Sequence, residues 1–368
     1  MNLSYWEQKE WFSNIDFTIV GSGIVGLNCA LTLKNKHPKA KILVLEKGML
    51  PQGASSKNAG FACFGSLSEL IDDLKNHTEE EVFNLVKKRW EGLQLLRRNL
   101  GDNTIDFQQN KGFELFQGAV FYEECNSQRE KINQLILPIF KQDVFPESSN
   151  TFDFGNIQPN YIVNQFEGQI DTGKMVTQLL LKTQKAGIKI LNNSTVKAFT
   201  ENNERVIVKT NFLEFSTNKL FIATNGFAKQ LLDENVQPAR AQVIITKPIS
   251  NLHIKGTFHL DKGYYYFRNI DNRILFGGGR NLDFKSEETV EFGQTKIIQN
   301  SLINILKETI LPNIPFEIEH SWSGIMGVGN QKKAIVKPIS NNVFCGVRLG
   351  GMGVAIGSLV GKELAELA

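Results

Sequence analysis

With 368 residues, 41% of them hydrophobic and 21% charged, the chain is long enough for two domains with sizeable cores, and its composition excludes a disordered protein. The formal net charge of +3 is close to neutral for this size, and the basic clusters (Lys34 to Lys41, Lys87-Lys88-Arg89, Arg97-Arg98, Lys332-Lys333) are short and scattered. A nucleic-acid footprint, which concentrates basic residues on one face, is not expected.

No apolar run reaches the roughly 18 residues of a membrane span, and the start of the chain lacks the charged-then-apolar layout of a signal peptide, so a cytoplasmic protein is expected. Cys29, Cys63, Cys125 and Cys345 lie far apart with no C-x-x-C, and the histidines form no H-x-x-x-H pair. Neither a disulfide framework nor a metal site is expected, and the thiols are read as reduced and mostly buried.

In chain order, residues 4–16, with Trp6, Trp11 and Phe12, read as a short amphipathic lead-in helix capped by Ser4. Phe17 to Val20 is an apolar strand, and Gly21-Ser22-Gly23-Ile24-Val25-Gly26 is a G-x-G-x-x-G turn that opens a helix stopped by Pro38. A second strand, 42–45, ends on Glu46, twenty residues past Gly26. Strand, turn, helix, strand and acid make a dinucleotide-binding unit. Gly21 permits the tight turn, Gly23 lets the backbone approach a pyrophosphate, Gly26 lets helix and strand pack closely, and Glu46 takes the ribose hydroxyl. The helix N-terminus offers free N–H groups and partial positive charge to the phosphates. Gly53 to Gly60 is too small and polar to be core. It suits close approach of backbone to phosphate or ring oxygens, or else is a surface loop.

Thr78 with Glu81 forms a capping box for a long helix whose stripe is Val82, Leu85, Val86, Trp90, Leu93 and Leu100, ended near Gly101. Strands near 104–107 and 112–116, then a helix capped by Ser127, make an insertion. Asp171 caps the next helix and Gly187 closes it, and short strands (188–191, 196–199, 205–209, 212–216) lead to 220–223. From Phe227 the strands lengthen: 242–246, 264–268 and 273–277 read as an antiparallel sheet, followed by a helix over 296–307 and a strand near 316–322. The chain then returns to its first domain with a strand at 342–345 and a helix over 354–367. The fold class is α/β, a Rossmann-like domain plus an α+β substrate domain with an antiparallel sheet. The expected domains are 1–88, 162–226 and 324–368 for the cofactor and 89–161 with 227–323 for the substrate.

Gly21 to Gly26, Glu46 and the Gly-Ala-Ser-x-x-Asn-x-Gly segment together resemble the D-amino-acid oxidase-like family of FAD-dependent oxidoreductases, which includes glycine and sarcosine oxidases. Gly168-Gln169-Ile170-Asp171, the strand into Thr224-Asn225-Gly226, Arg240-Ala241-Gln242-Val243 and Gly350-Gly351-Met352-Gly353 resemble later blocks of that family, so the likeness covers most of the chain. It implies FAD, held by Gly21, Gly23, Ile24, Val25, Gly26, Glu46, Lys47, Ala54, Ser55, Lys57, Asn58, Ala59, Gly60, Val196, Ala223, Thr224, Gly226, Gly350, Gly351, Met352, Gly353 and Val354. It also implies a small amine or amino-acid substrate.

A flavin ring takes a hydride directly from carbon, so the protein supplies orientation and positive potential near the ring. The helix after Gly353 and Lys57 are candidates for that potential, Lys57 standing where the family more often has arginine; a surface lysine is the alternative. Tyr264, Tyr266 and Arg268 share one strand face. The resemblance brings Tyr264 to the substrate, with plain sheet packing as the alternative, and Arg348 looks like an arginine that glycine oxidases put near the substrate carboxylate, unless it pairs with a carboxylate of the protein. Met326 stands where amino-acid-oxidising relatives often place an arginine, Leu275 where sarcosine oxidases carry an oxygen-activating lysine, and the attachment cysteine of sarcosine oxidases is missing, so FAD is expected to be non-covalent. The functional expectation is oxidation of the carbon next to an amine nitrogen. A 2-hydroxy-acid dehydrogenase is the second enzymatic reading; an NAD-dependent dehydrogenase or a flavin-binding protein without turnover are rivals from other classes.

Overall fold

The computed structural model describes residues 2–202 and 204–368 and contains two eight-stranded sheets. In the first, the strands Ile335–Pro338, Val343–Val347, Glu214–Ile222, Ile15–Val20, Ile42–Leu45 and Lys189–Leu191 lie side by side in that order. From Val343–Val347 to Lys189–Leu191 all neighbours pair parallel, and the hairpin of Val196–Glu201 and Val206–Thr210 joins through Glu214–Ile222. Strands such as Ile42–Leu45 and Val343–Val347 are buried at every position, as a parallel sheet covered on both faces requires.

One face is covered by the helices Ile24–Lys36, Glu79–Leu100, Thr172–Lys185 and Gly353–Glu366, which bury Leu27, Leu93, Leu179 and Val360 against Phe17, Ile19 and Phe221. The other face is covered by the hairpin and Phe12, over Val20, Leu43, Leu45 and Leu220. Helix contacts are close where glycine permits. An ideal Cβ on Gly92 would fall 2.3 Å from the Ala355 carbonyl oxygen, and one on Gly361 2.5 Å from that of Val25.

The second sheet runs Ile318–Val328, Gln237–Thr246, Arg273–Gly278, Tyr265–Ile270, Thr257–Leu260, Gly112–Leu115, Asn160–Asn164 and Glu147–Ser149. It is antiparallel except where Gly112–Leu115 meets Thr257–Leu260. Its outer layer is the helix Lys296–Ile305 with the π-helical turn Leu306–Ile310, packed on an aromatic core of Phe113, Phe154, Phe258 and Phe267. Arg268 of the second sheet, 2% exposed, donates to the carbonyls of Ala59 and Ile170 and so holds the loops that carry them.

Several sequence expectations change. The lead-in helix is shorter, covering Tyr5–Glu7 and then a π-helical turn Gln8–Phe12, because the first strand already starts at Ile15. The stretch 104–107 turns back on the helix end rather than forming a strand, the Thr104 and Ile105 N–H groups donating to the Gly101 carbonyl and that of Phe107 to the Asp102 carbonyl. Ser127 caps nothing: it lies inside the helix Ala119–Phe140, where its hydroxyl donates to the Glu124 carbonyl. The stretches 212–216 and 220–223 are one strand, Glu214–Ile222. Of the expected domain limits, 161/162 and 323/324 fall inside strands of the second sheet, and 88/89 inside the helix Glu79–Leu100.

Candidate active site and cofactor cavity

Between the two sheets lies a cavity of about 570 Å³, within the usual size of small-molecule sites. Its first end is built by the glycine turn. Gly21 sits at φ +106°, and a Cβ there would lie 2.8 Å from the Ala223 carbonyl oxygen. A Cβ on Gly26 would fall 1.9 Å from the Gly21 oxygen, so that glycine serves close packing of helix on strand. The helix Ile24–Lys36 begins at Gly23 with no side-chain cap. Gly21, Gly23, Ile24 and Val25 all line the cavity, so the helix N-terminus faces it.

Glu46 lines the same end, 5% exposed. Its carboxylate accepts from the Ser22 N–H (3.1 Å), the Ser22 hydroxyl (2.7 Å) and the Gly48 N–H (3.0 Å). A carboxylate accepts about four hydrogen bonds, so capacity for a ribose hydroxyl remains. Lys47 places its Nζ 3.3 Å from the centre of the Phe227 ring, and burial lowers its pKa although Glu46 opposes the shift. The loop after it forms the short 3₁₀ turn Ala54–Ser56, and the Ser55 hydroxyl accepts from the Ile24 N–H at 2.9 Å. Ala54, Ser55, Lys57, Asn58 and Ala59 line the cavity, as do Val196, Ala223 and Thr224. Thr224 Oγ1 is buried without a hydrogen-bond partner.

The far wall comes from Gly350 and Gly351, both at positive φ, then Met352, Gly353 and Val354 at the start of the last helix. That helix also begins without a side-chain cap and presents its N-terminus to the cavity. Helix N-termini, glycines at the points of closest approach, an acid at the end of the second strand and an orphaned hydroxyl fit the donor and acceptor needs of FAD.

From the second sheet come Tyr264, Tyr266 and Met326. Burial pushes the Tyr266 hydroxyl up to about 12, so it stays protonated. Tyr264 precedes the strand, which starts at Tyr265, and its ring meets Phe284 edge-on. The Lys57 carbonyl accepts from the Trp322 ring N–H at 2.9 Å, which fixes the loop to the second sheet.

Four expected site residues are not brought to the cavity surface. Gly26, Gly60 and Gly226 are points of close packing, where a Cβ would meet the oxygens of Gly21, Ile170 and Met326 at 1.9, 2.3 and 2.6 Å. Arg348 turns elsewhere. Its guanidinium donates to the Lys333 carbonyl (3.1 and 2.9 Å) and the Asn235 carbonyl (3.1 Å), which corrects the expectation that it meets substrate.

Sequence reasoning missed other lining groups: Cys63, Glu69, Asp72, Arg89, His259, Lys262, Arg280 and Lys332. His259, 5% exposed, pairs with the fully buried Glu167 at 2.7 Å. Burial lowers the imidazole pKa, but the Glu167 charge and hydrogen bond, with the charges of Glu69 and Glu114, outweigh it and raise the ring to about 9. Arg280 rests on the Phe284 ring at 4.7 Å, and burial lowers its pKa. Arg89 had a legible signal, since positions 82, 86, 89, 93 and 96 follow helical spacing and all are buried. A charged residue on an apolar stripe marks a site. His259, between Phe258 and Leu260 in a strand, carried no such mark.

The FAD dependent oxidoreductase model of the DAO family matches residues 16–367. The probable oxidoreductase OrdL of Haemophilus influenzae is 22% identical over 95% of this chain and 82% of its own. The glycerol 3-phosphate oxidase of Mycoplasma genitalium is 24% identical over 96% of this chain and 94% of its own. Glycine oxidase from Geobacillus kaustophilus superposes with a TM-score of 0.76 at 18% identity, covering 96% of this chain and 94% of that one. With a family model spanning nearly the whole chain and a cavity whose residues fit the cofactor, the chain belongs to the DAO family of FAD-dependent oxidoreductases.

Proposed function

We propose that the chain oxidises the carbon next to an amine nitrogen, in an amino acid or a secondary amine. When bound, the flavin accepts the hydride, and the imine released is hydrolysed by water. The chain's own part is positioning and charge. Tyr264 and Tyr266 wall the substrate side, and Lys57 with the uncapped N-terminus of Gly353–Glu366 supplies positive potential to the cavity.

The observation that carries the amine reading is the buried pair of His259 and Glu167, 2.7 Å apart. An amine becomes ready by losing its ammonium proton to solvent, whereas an alcohol needs its hydroxyl proton removed at the site by a base. His259 is the one imidazole lining the cavity among the described residues, and Glu167 keeps it protonated at neutral pH. A relative named for glycerol 3-phosphate keeps a hydroxyl-bearing substrate, such as a 2-hydroxy acid, as the second reading.

Anaerobic bleaching of the bound flavin against a panel of amines, amino acids and hydroxy acids decides between them. Secondary amines and amino acids are expected to bleach it. Bleaching by hydroxy acids alone would overturn the amine reading and leave the second one.

A further inference from the structure

We infer that Arg89 receives an oxyanion of the substrate, a carboxylate or a phosphate; this rests on the substrate reading above. Arg89 lies on the buried stripe of the helix Glu79–Leu100, 3% exposed, and lines the cavity. Its Nη1 donates to the Phe64 carbonyl at 2.8 Å, and its Nε is buried with no hydrogen-bond partner. Every ion pair within 4.0 Å among the described residues leaves Arg89 out. A guanidinium does not lose its proton in a protein, so this is a buried charge without a counter-charge, which is destabilising unless something else completes it.

The surroundings make room for a ligand rather than a protein partner. Gly65, at φ +128°, keeps the backbone beside the guanidinium clear: a Cβ there would lie 3.3 Å from Arg89 Nη1. The acids on the neighbouring wall are engaged elsewhere, Glu69 by the Ser66 N–H at 2.9 Å and Asp72 by Lys75 at 3.4 Å. The ring of His259 meets that of Phe61 edge-on at 5.3 Å and Arg89 donates to the Phe64 carbonyl, so both stand beside the segment 61–64. Met326 offers only a thioether there and Arg348 faces away, which leaves Arg89 as the buried planar donor fork matched to two oxygens.

The test titrates the FAD-loaded protein with acetate, benzoate and inorganic phosphate, followed through the flavin absorption spectrum, with benzamide as the neutral control. Arg89→Met is expected to weaken the oxyanions at least tenfold and leave benzamide within twofold. Arg89→Lys, which keeps the charge and loses the fork, is expected to fall between, and it stands in if the methionine variant does not fold. Tighter wild-type binding of benzoate than phosphate assigns the site to carboxylates, and the reverse order to phosphates. Unchanged oxyanion affinity in both variants overturns the inference, as does a loss confined to FAD retention, which would give the guanidinium to the cofactor. Because binding is read without turnover, this outcome stands apart from that of the bleaching panel.

Discussion

At the scale of single residues, Glu46 does two jobs with one carboxylate. It holds the turn through Ser22 and Gly48 and keeps acceptor capacity toward the cavity. Glu46→Gln is therefore expected to weaken FAD binding to the refolded apoprotein by roughly 1.5–3 kcal/mol, the worth of a charge-assisted hydrogen bond. Affinity equal to wild type would reassign the residue to the turn alone. His259 gives a second prediction. Its folded pKa of about 9 lies above the ordinary histidine value, near 6.5. The stability it contributes is fully present below that unfolded value and is lost as pH rises through 9. Denaturant unfolding is expected to show a decline on the order of 2 kcal/mol between those limits, and His259→Asn to flatten it. A wild-type curve without slope in that window would mean that Glu167 does not hold the ring charged.

At the scale of elements, the sequence was most readable where local chemistry decides. Thr78 with Glu81 and Asp171 cap helices in the structure as their spacing predicts, and the strand Ile42–Leu45 has the expected limits. It was least readable where a distant partner decides. Residues 104–107 look like a strand but fold back onto Gly101 and Asp102, and Ser127 looks like a cap but lies in a helix already started by Gly118. The cofactor end of the cavity was legible because glycine turns carry their own geometry. The substrate end was not, because Arg89, His259 and Arg280 come from separate elements that only the fold brings together. Gly92 tests the packing of two such elements. Its ideal Cβ would stand 2.3 Å from the Ala355 oxygen, so Gly92→Ala must push the helix Glu79–Leu100 away from the last helix. A loss of about 1–3 kcal/mol in denaturant unfolding is expected from that overpacking, with weaker FAD retention because Ala355 lines the cavity. Stability at or above wild type would show that the helices slide apart without strain.

For the whole molecule, the manner in which FAD is held follows from burial. Cys63 is the one thiol lining the cavity among the described residues, and burial raises its pKa well above the ordinary value, which disfavours the nucleophilic thiolate. Purified protein is expected to be yellow and to release its flavin to the supernatant on acid precipitation. Colour that stays with the pellet would contradict this.

The first sheet draws its strands from residues 15–45, 189–222 and 335–347, and the last helix supplies a wall of the cavity. During synthesis, the site for the cofactor therefore does not exist until the segment from Ile335 to Glu366 has emerged from the ribosome, so shorter nascent chains cannot be rescued by early capture of FAD. Chains stalled before residue 335 should gain no protease resistance from added FAD, whereas chains that expose residues 335–366 should, making flavin supply a checkpoint that acts only once that segment is out.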